Sequence, residues 1–171
     1  MDRIMEIASK HGVGVISDAA QGLGSSWAGA GPGAWGDVAG FSMHPLKCVN
    51  SWGDSGVICT NNQGLAEKLK RLRNHGLVGR DVWLDFGVNS RLDTVQSVVA
   101  HHVLDNVDRA LAARAAISQR LFKGSSGIDG ITLVPPPVEA VCNWYLFTGL
   151  AVSRDKLLAY LNGLGIEAKC H

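Results

Sequence analysis

The sequence predicts an α/β fold, and three observations carry that reading. Short apolar runs such as "VGVIS" (13–17), "DVAGFSM" (37–43) and "SGVICT" (55–60) have the length and β-branched content of buried strands. Around them lie segments whose apolar residues recur every three or four positions, which is helical spacing. The order is helix, strand, loop, strand, strand, helix, the alternation of an α/β chain. At 171 residues, 46% hydrophobic and 18% charged, the chain has the material for a real core.

Each element follows from local chemistry. Ile4, Ile7 and Ala8 share one face and Gly12 is a natural C-cap, so residues 2–11 read as a helix. "VGVIS" is the first strand and ends near Asp18. "GLGSSWAGAGPGAWGD" (22–37) is too rich in glycine for a regular element and reads as a loop or series of turns. Two further strands follow at 37–43 and 55–60. Asn61 or Asn62 can cap a helix through about Asn74, with Leu65, Leu69 and Leu72 on one face and Gly76 just past its end. Residues 77–90 form an irregular loop.

Asp93 opens the longest periodic segment, and Asp93 with Gln96 has the spacing of a capping box. Val95, Val99, Val103, Val107 and Leu111 recur every four residues. Ile117 and Leu121 continue the pattern less regularly, which predicts a long helix over about 93–123 with room for a bend. "GSSGIDG" and "PPP" then mark a boundary. Beyond it "NWYLFTGLAV" (143–152) reads as a strand, Ser153 caps a helix through about Leu164, and "GIEAK" (165–169) resembles the start of another strand. Two units are expected, residues 1–124 and 125–171. The opening on a helix and the ending on a nascent strand make both ends look cut.

Several function classes lose support at this stage. A net charge of +1 supplies no field toward nucleic acid or an anionic membrane. No apolar run approaches the roughly 18 to 20 residues of a membrane helix. The first residues lack a secretory pattern, so the cytoplasm is the expected compartment. Cys48, Cys59, Cys142 and Cys170 form no C-x-x-C pair and read mostly as free buried thiols rather than a disulfide framework or zinc site. "GLGSSW" and "GAGPGA" both miss the dinucleotide fingerprint, and neither a phosphate-binding P-loop nor a G-x-S-x-G elbow is present. His101 and His102 are adjacent on a helix and point about 100° apart, which does not suit a chelating pair. His11 and His75 lie near helix ends, and Asp37 and Asp54 sit in turn contexts.

Two residues hold more interest. Asp18 stands at the carboxyl end of a strand, where α/β sheets bind ligands. It reads either as a loop-capping carboxylate or as a partner for a cationic ring nitrogen. Lys47 is alone in an apolar stretch, "FSMHPLKCVNSWGDSG" (41–56). It reads either as an ordinary loop lysine reaching for water or as a desolvated nucleophile toward a carbonyl.

Taken together, the motifs narrow the choice. "SDAAQGLGSS" (17–26), "GDVAGFSMHPLK" (36–47), "WGDSGVICT" (52–60), "RLRNHG" (71–76) and "FGVNSRLDTVQS" (86–97) occur in this order. The chain thereby resembles the sugar aminotransferase family of fold-type-I pyridoxal-phosphate enzymes over nearly its whole length. The resemblance implies part of that fold's large domain followed by the start of its small α+β domain. It implies pyridoxal 5'-phosphate as cofactor and a homodimer with shared active sites. The implied substrates are an amino-acid donor, glutamate, and a nucleotide-linked keto-sugar, in the service of deoxyaminosugar and cell-surface polysaccharide synthesis.

The family's roles transfer position by position. Lys47 matches the lysine that holds the cofactor as an internal aldimine and later shuttles a proton. Asp18 matches the aspartate that pairs with the pyridine nitrogen. Gln21 matches the residue bonded to the ring's phenolic oxygen, and Ser42 the serine on the phosphate. Asn89 matches an asparagine that reaches the phosphate of the neighbouring subunit. His44 and Arg91 are candidates for substrate or interface contact.

Relatives that act as dehydratases carry histidine where this chain has Lys47, so the resemblance favours transamination. Two departures stand beside it. Cys48 follows the lysine where many relatives have asparagine. Members of the family are also longer chains, so this sequence is expected to be a piece whose partner segments supply the rest of the cofactor pocket. The alternatives are a catalytically silent fragment, and a family member with a non-sugar substrate or a regulatory role.

Overall fold

The computed structural model of the protein describes residues 1–170. Helix α1 (Asp2–His11) ends on Gly12, whose φ of 62° is the left-handed conformation of a C-cap. Strand β1 (Ile16–Asp18) pairs in parallel with β3 (Val38–Ser42), and β3 pairs antiparallel with β4 (Gly56–Cys59), giving the order β1-β3-β4. The first strand is shorter than its apolar run predicts. The Val13 N–H donates to the Ala8 carbonyl at 3.0 Å and the Val15 N–H to Asp37 Oδ2 at 2.7 Å. With those donors engaged outside the sheet, the ladder starts at Ile16.

The glycine-rich segment is not wholly irregular. It contains a short strand β2 (Ser26–Trp27) and a 3-10 turn at Pro32–Ala34. Strand β2 pairs antiparallel with β6 (Ala140–Val141), so its partner comes from the far end of the chain. Helix α2 (Gln63–Leu72) is capped by Asn62, whose Oδ1 accepts the Leu65 N–H at 3.0 Å. The loop beyond it is irregular but pinned. His75 N–H donates to the Val88 carbonyl at 2.9 Å, and Arg71 Nε holds Asp85 at 2.9 Å in a half-buried pair. Gly76 takes φ 77° and packs so closely on the Asp85 backbone that a Cβ would collide with it.

The long helix is in fact two, α3 (Thr94–Leu104) and α4 (Val107–Ser125). Asn106 causes the break. Its N–H turns back to the Val103 carbonyl at 3.1 Å and its Nδ2 donates to the His102 carbonyl at 3.1 Å, which tightens the turn and redirects the chain. The expected capping box does not form. Asp93 occupies the N-cap position without a side-chain bond, and Gln96 Oε1 instead accepts the Trp52 N–H at 2.8 Å.

The last third differs most from expectation. Strand β5 (Ile131–Leu133) pairs antiparallel with β7 (Gly149–Ala151), which is all that forms of the strand expected over 143–152. Residues 143–148 turn instead, with Trp144 at φ 52°. Helix α5 (Arg154–Gly163) starts after Ser153, whose side chain makes no capping bond. The "GIEAK" segment is not a strand. Asn162 holds it by exchanging two hydrogen bonds of 3.2 Å with the Ala168 backbone, where a strand partner would otherwise sit.

The buried centre is small. Met43, Val49 and Ala100 form it, with Leu23, Leu92, Val103 and Val107 packed against them. It therefore joins α3 and the start of α4 to the segment after β3. The thiols expected to be buried are not: Cys48 and Cys142 are partly buried and Cys59 and Cys170 exposed. No helix among the described residues is long and apolar enough to cross a membrane.

The exposed surface is 12294 Å², against about 8,100 Å² for a folded monomer of 18.1 kDa by the usual scaling. Ile16, Trp52, Phe86, Val138 and Val152 are all largely exposed. Apolar surface on this scale drives association. The 171-residue chain on its own is therefore expected to self-associate, read as a mass above that of one chain in light scattering; a stable monomer would contradict this.

Candidate active site

The site begins with the register of β1 on β3. Asp18 stands opposite Gly40, and Ser42 follows two residues later on the same strand. Side chains alternate along a strand, so Asp18 and Ser42 lie on one face, with Gly40 between them. Ala39 points the other way and is completely buried. A Cβ at Gly40 would meet no atom within 4 Å, so the face between Asp18 and Ser42 is open. Asp18 is exposed, and its Oδ1 accepts the Ala20 N–H at 3.0 Å.

Lys47 sits on the loop that leaves β3. Two buried residues anchor this loop on either side of it, Met43 at 4% exposure and Val49 at 1%. Pro45 occupies the second position of a turn in which Lys47 N–H donates to the His44 carbonyl at 2.8 Å. His44 Nδ1 accepts the Leu46 N–H at 3.2 Å, and Asn50 Nδ2 donates to the Lys47 carbonyl at 3.2 Å. The base of the loop is closed by Ser51, which is 1% exposed. Ser51 Oγ bonds the carbonyls of Met43 and Gly53 at 3.1 and 2.8 Å and also meets Ser55 Oγ, while its N–H donates to the Met43 carbonyl at 2.9 Å.

Lys47, Gln21 and Ser42 meet in one narrow cleft, together with Ala20, Leu23, Cys48, Val49 and Tyr145. Ser42 Oγ accepts the His44 N–H at 3.3 Å, which leaves its hydroxyl proton to donate outward. The cleft offers an amine, a carboxamide and a hydroxyl, and the exposed Asp18 carboxylate is not among its lining residues but lies on the same sheet face as Ser42; polar groups of these kinds suit a flat, anionic, aldehyde-bearing group.

Other expected residues lie elsewhere. Asn89 is exposed on the strand-like segment that pairs with Asn74, and Arg91 bonds Asn74 Oδ1 through both Nε and Nη2. Neither lines the cleft. The Nε2 edge of His44 faces Asp54 at 3.9 Å. Asp37 binds the Val15 N–H and accepts Thr60 Oγ1 at 2.6 Å through its carbonyl, a structural role.

Sequence reading missed Asn143 and Tyr145. Tyr145 lines the cleft, with Lys47 Nζ 4.7 Å from its ring centroid. Asn143 is 6% exposed and ties this segment to the carbonyls of Gln21 and Leu23 at 2.6 and 2.8 Å. The available signal was a carboxamide inside an aromatic run, a residue that favours turns over strands.

Comparison with known proteins comes after this geometry. The family model described as the DegT/DnrJ/EryC1/StrS aminotransferase family matches residues 1–171. A dTDP-3-amino-3,4,6-trideoxy-alpha-D-glucose transaminase of Streptomyces venezuelae is 35% identical over 171 residues, covering 100% of this chain and 45% of its own length. A UDP-N-acetyl-3-dehydro-alpha-D-glucosamine 3-aminotranferase of Acidithiobacillus ferrooxidans is 43% identical over 171 residues, covering 98% and 45%. The crystal structure of S. venezuelae DesV with a ketimine intermediate superposes with a TM-score of 0.94 at 35% identity, covering 98% of this chain and 45% of that one. The chain thus spans about half the length of the curated relatives it matches.

The loop geometry yields one test. Ser51→Ala removes a buried hydroxyl, so the Gly53 carbonyl keeps only a long 3.5 Å contact from Ser55 Oγ while the Met43 carbonyl retains the Ser51 N–H and Ser55 Oγ, a loss of about 0.5–1.5 kcal/mol. Urea unfolding of the whole protein is expected to show a lower midpoint with an unchanged slope.

Proposed function

The chain belongs to the DegT/DnrJ/EryC1/StrS aminotransferase family, and from that premise we propose that the whole protein is a pyridoxal 5'-phosphate-dependent aminotransferase acting on a nucleotide-linked keto-sugar. The observation that supports this best is Lys47 sharing a cleft with Gln21 and Ser42, beside the open sheet face at Gly40 that Asp18 borders. In this reading glutamate is the amino donor, the protein works in the cytoplasm, and a second copy completes the site.

When bound, the cofactor supplies an electrophilic aldehyde carbon and a ring that withdraws electrons from the reacting carbon. Lys47 would hold it through Nζ and, as a free amine, would take up and return a proton at that atom. The Asp18 carboxylate, with one oxygen fixed by the Ala20 N–H, pairs with a protonated ring nitrogen. Ser42 donates its hydroxyl proton to the phosphate, and Gln21 bonds the ring oxygen. The exposed Asn89 would serve the phosphate held by a second copy. Arg91 and the Nε2 edge of His44 serve interface or substrate contact. Residues 1–124 form the cofactor-holding unit and 125–171 a second unit, of which the segment around Asn143 reaches back to the cleft.

The experiment is covalent capture. The whole protein is mixed with pyridoxal 5'-phosphate, reduced with borohydride and mapped by mass spectrometry. The label is expected on Lys47. Lys47→Ala is expected to lose the label and at least about a hundredfold in turnover of glutamate with a keto-sugar nucleotide; capture that persists in this variant contradicts the assignment.

A further inference from the structure

We propose that Tyr145 is a further functional residue of the cleft, a platform that seats the Lys47 amine, and that Asn143 is the residue that positions it. The inference rests on Lys47 being the reactive amine of the reading above.

The Tyr145 ring is within cation–π reach of the lysine, with Nζ 4.7 Å from its centroid. That placement is built rather than incidental. Asn143 is 6% exposed and uses both ends of its carboxamide. Its Nδ2 donates to the carbonyls of Gln21 and Leu23 at 2.6 and 2.8 Å, and its Oδ1 accepts the Tyr145 N–H at 3.0 Å. One buried side chain thus fastens the Tyr145 backbone to the loop that carries Gln21.

The neighbours show which way the ring has been turned. Trp144 adopts φ 52°, an uncommon conformation for a bulky residue, and Arg114 Nη1 holds its carbonyl at 3.1 Å. Trp144 and Phe147 pack edge-on against Phe122, with centroids 5.4 and 5.0 Å away. The two neighbouring aromatics thus pack on α4, while Tyr145 lies against Lys47. Tyr145 makes no ring contact with that cluster among the described residues. A ring needed only for the core would have joined it.

A lysine that alternates between a covalent and a free state needs a defined resting place for the free amine. The tyrosine face supplies one, because it attracts the ammonium and covers one side of Nζ. The amine is thereby kept at the cleft, facing Gln21 and Ser42, instead of sweeping through water on its four-carbon stem.

The test uses the intact protein freed of cofactor. Lysines are acylated at low extent with acetic anhydride, and the rate at Lys47 is read by mass spectrometry relative to Lys10 on α1 of the same molecule. Tyr145→Leu and Tyr145→Met, which fill the space without a π face, are each expected to raise the Lys47 rate about threefold or more. Asn143→Ala is expected to do the same by releasing the segment. Tyr145→Phe keeps the ring and should label as the wild type does. The platform is overturned if the Leu and Met variants, folded by near-ultraviolet dichroism, label Lys47 at the wild-type rate, or if Tyr145→Phe rises as far as they do. An unfolded Leu variant leaves the Met and Phe pair to decide. Labelling needs no cofactor, so failure of borohydride capture at Lys47 overturns the catalytic reading separately from the platform.

Discussion

The parallel pairing of β1 with β3 is the constraint on which the rest of the site depends. Its register puts Asp18 opposite Gly40 and brings the carboxyl ends of two adjacent strands to one edge of the sheet. Backbone dipoles and loops converge there, which is why α/β sheets place their ligands at such edges. A slip of one residue would turn Asp18 and Ser42 to opposite faces. The packing resists such a slip. Ala39 is fully buried beneath the sheet, and a side chain in the place of Gly56 would strike the Phe41 carbonyl across the β3–β4 pair. The alanine and the glycine of β3 thus have distinct tasks: Ala39 fills the interior and Gly40 keeps the ligand face bare.

From this edge the chain must carry a charged amine back over the sheet without losing it to solvent. The loop after β3 does so by burying its two ends, Met43 and Val49, while Pro45 and Leu46 at its tip face solvent and Lys47 stays partly buried. Met43 and Val49 join Ala100 of α3 in the core, and Ser51 gathers the Met43 and Gly53 carbonyls beneath the turn. The energetic weight is in the buried hydroxyl and the packed apolar ends rather than in ion pairs. The described ion pairs lie mostly on the surface, where they contribute little. On the same α3 helix Gln96 Oε1 accepts the Trp52 N–H, so a residue expected to cap its own helix instead ties that helix to the segment after the loop.

Much of the large unit was legible because its signals are local. Gly12, Asn62 and the apolar runs around Val38 and Ile58 specify caps and strands through their own backbone preferences, and the structure has them where expected, although β4 is exposed throughout rather than buried. The cleft residues Gln21, Ser42 and Lys47 were legible as a set only because several motifs fell in one order. What the sequence did not disclose was decided at a distance. Strand β2 exists because Ala140 and Val141 come to pair with it. The turn at 143–148 exists because Asn143 finds two carbonyls more than a hundred residues away. The break at Asn106 is a side chain competing for a carbonyl within an otherwise periodic helix, which periodicity alone does not reveal.

These failures of local reasoning are not scattered evenly. A run of "NWYLF" has strong strand propensity, and a strand there would have extended β7 by several residues. The chain instead gives up that ladder, places Trp144 at a positive φ and buries a carboxamide. Each of these departures carries a cost, and together they are retained where the segment meets the Gln21 loop and the Lys47 amine. Positive φ at a non-glycine residue also occurs at Ala28 and His75, but beside the candidate lysine it coincides with a buried carboxamide and a shortened strand, the combination found where a site rather than local propensity sets the conformation. The aromatic run therefore belongs with the cleft, although it lies beyond the proline-rich boundary that separates it from the rest of the cleft in the sequence.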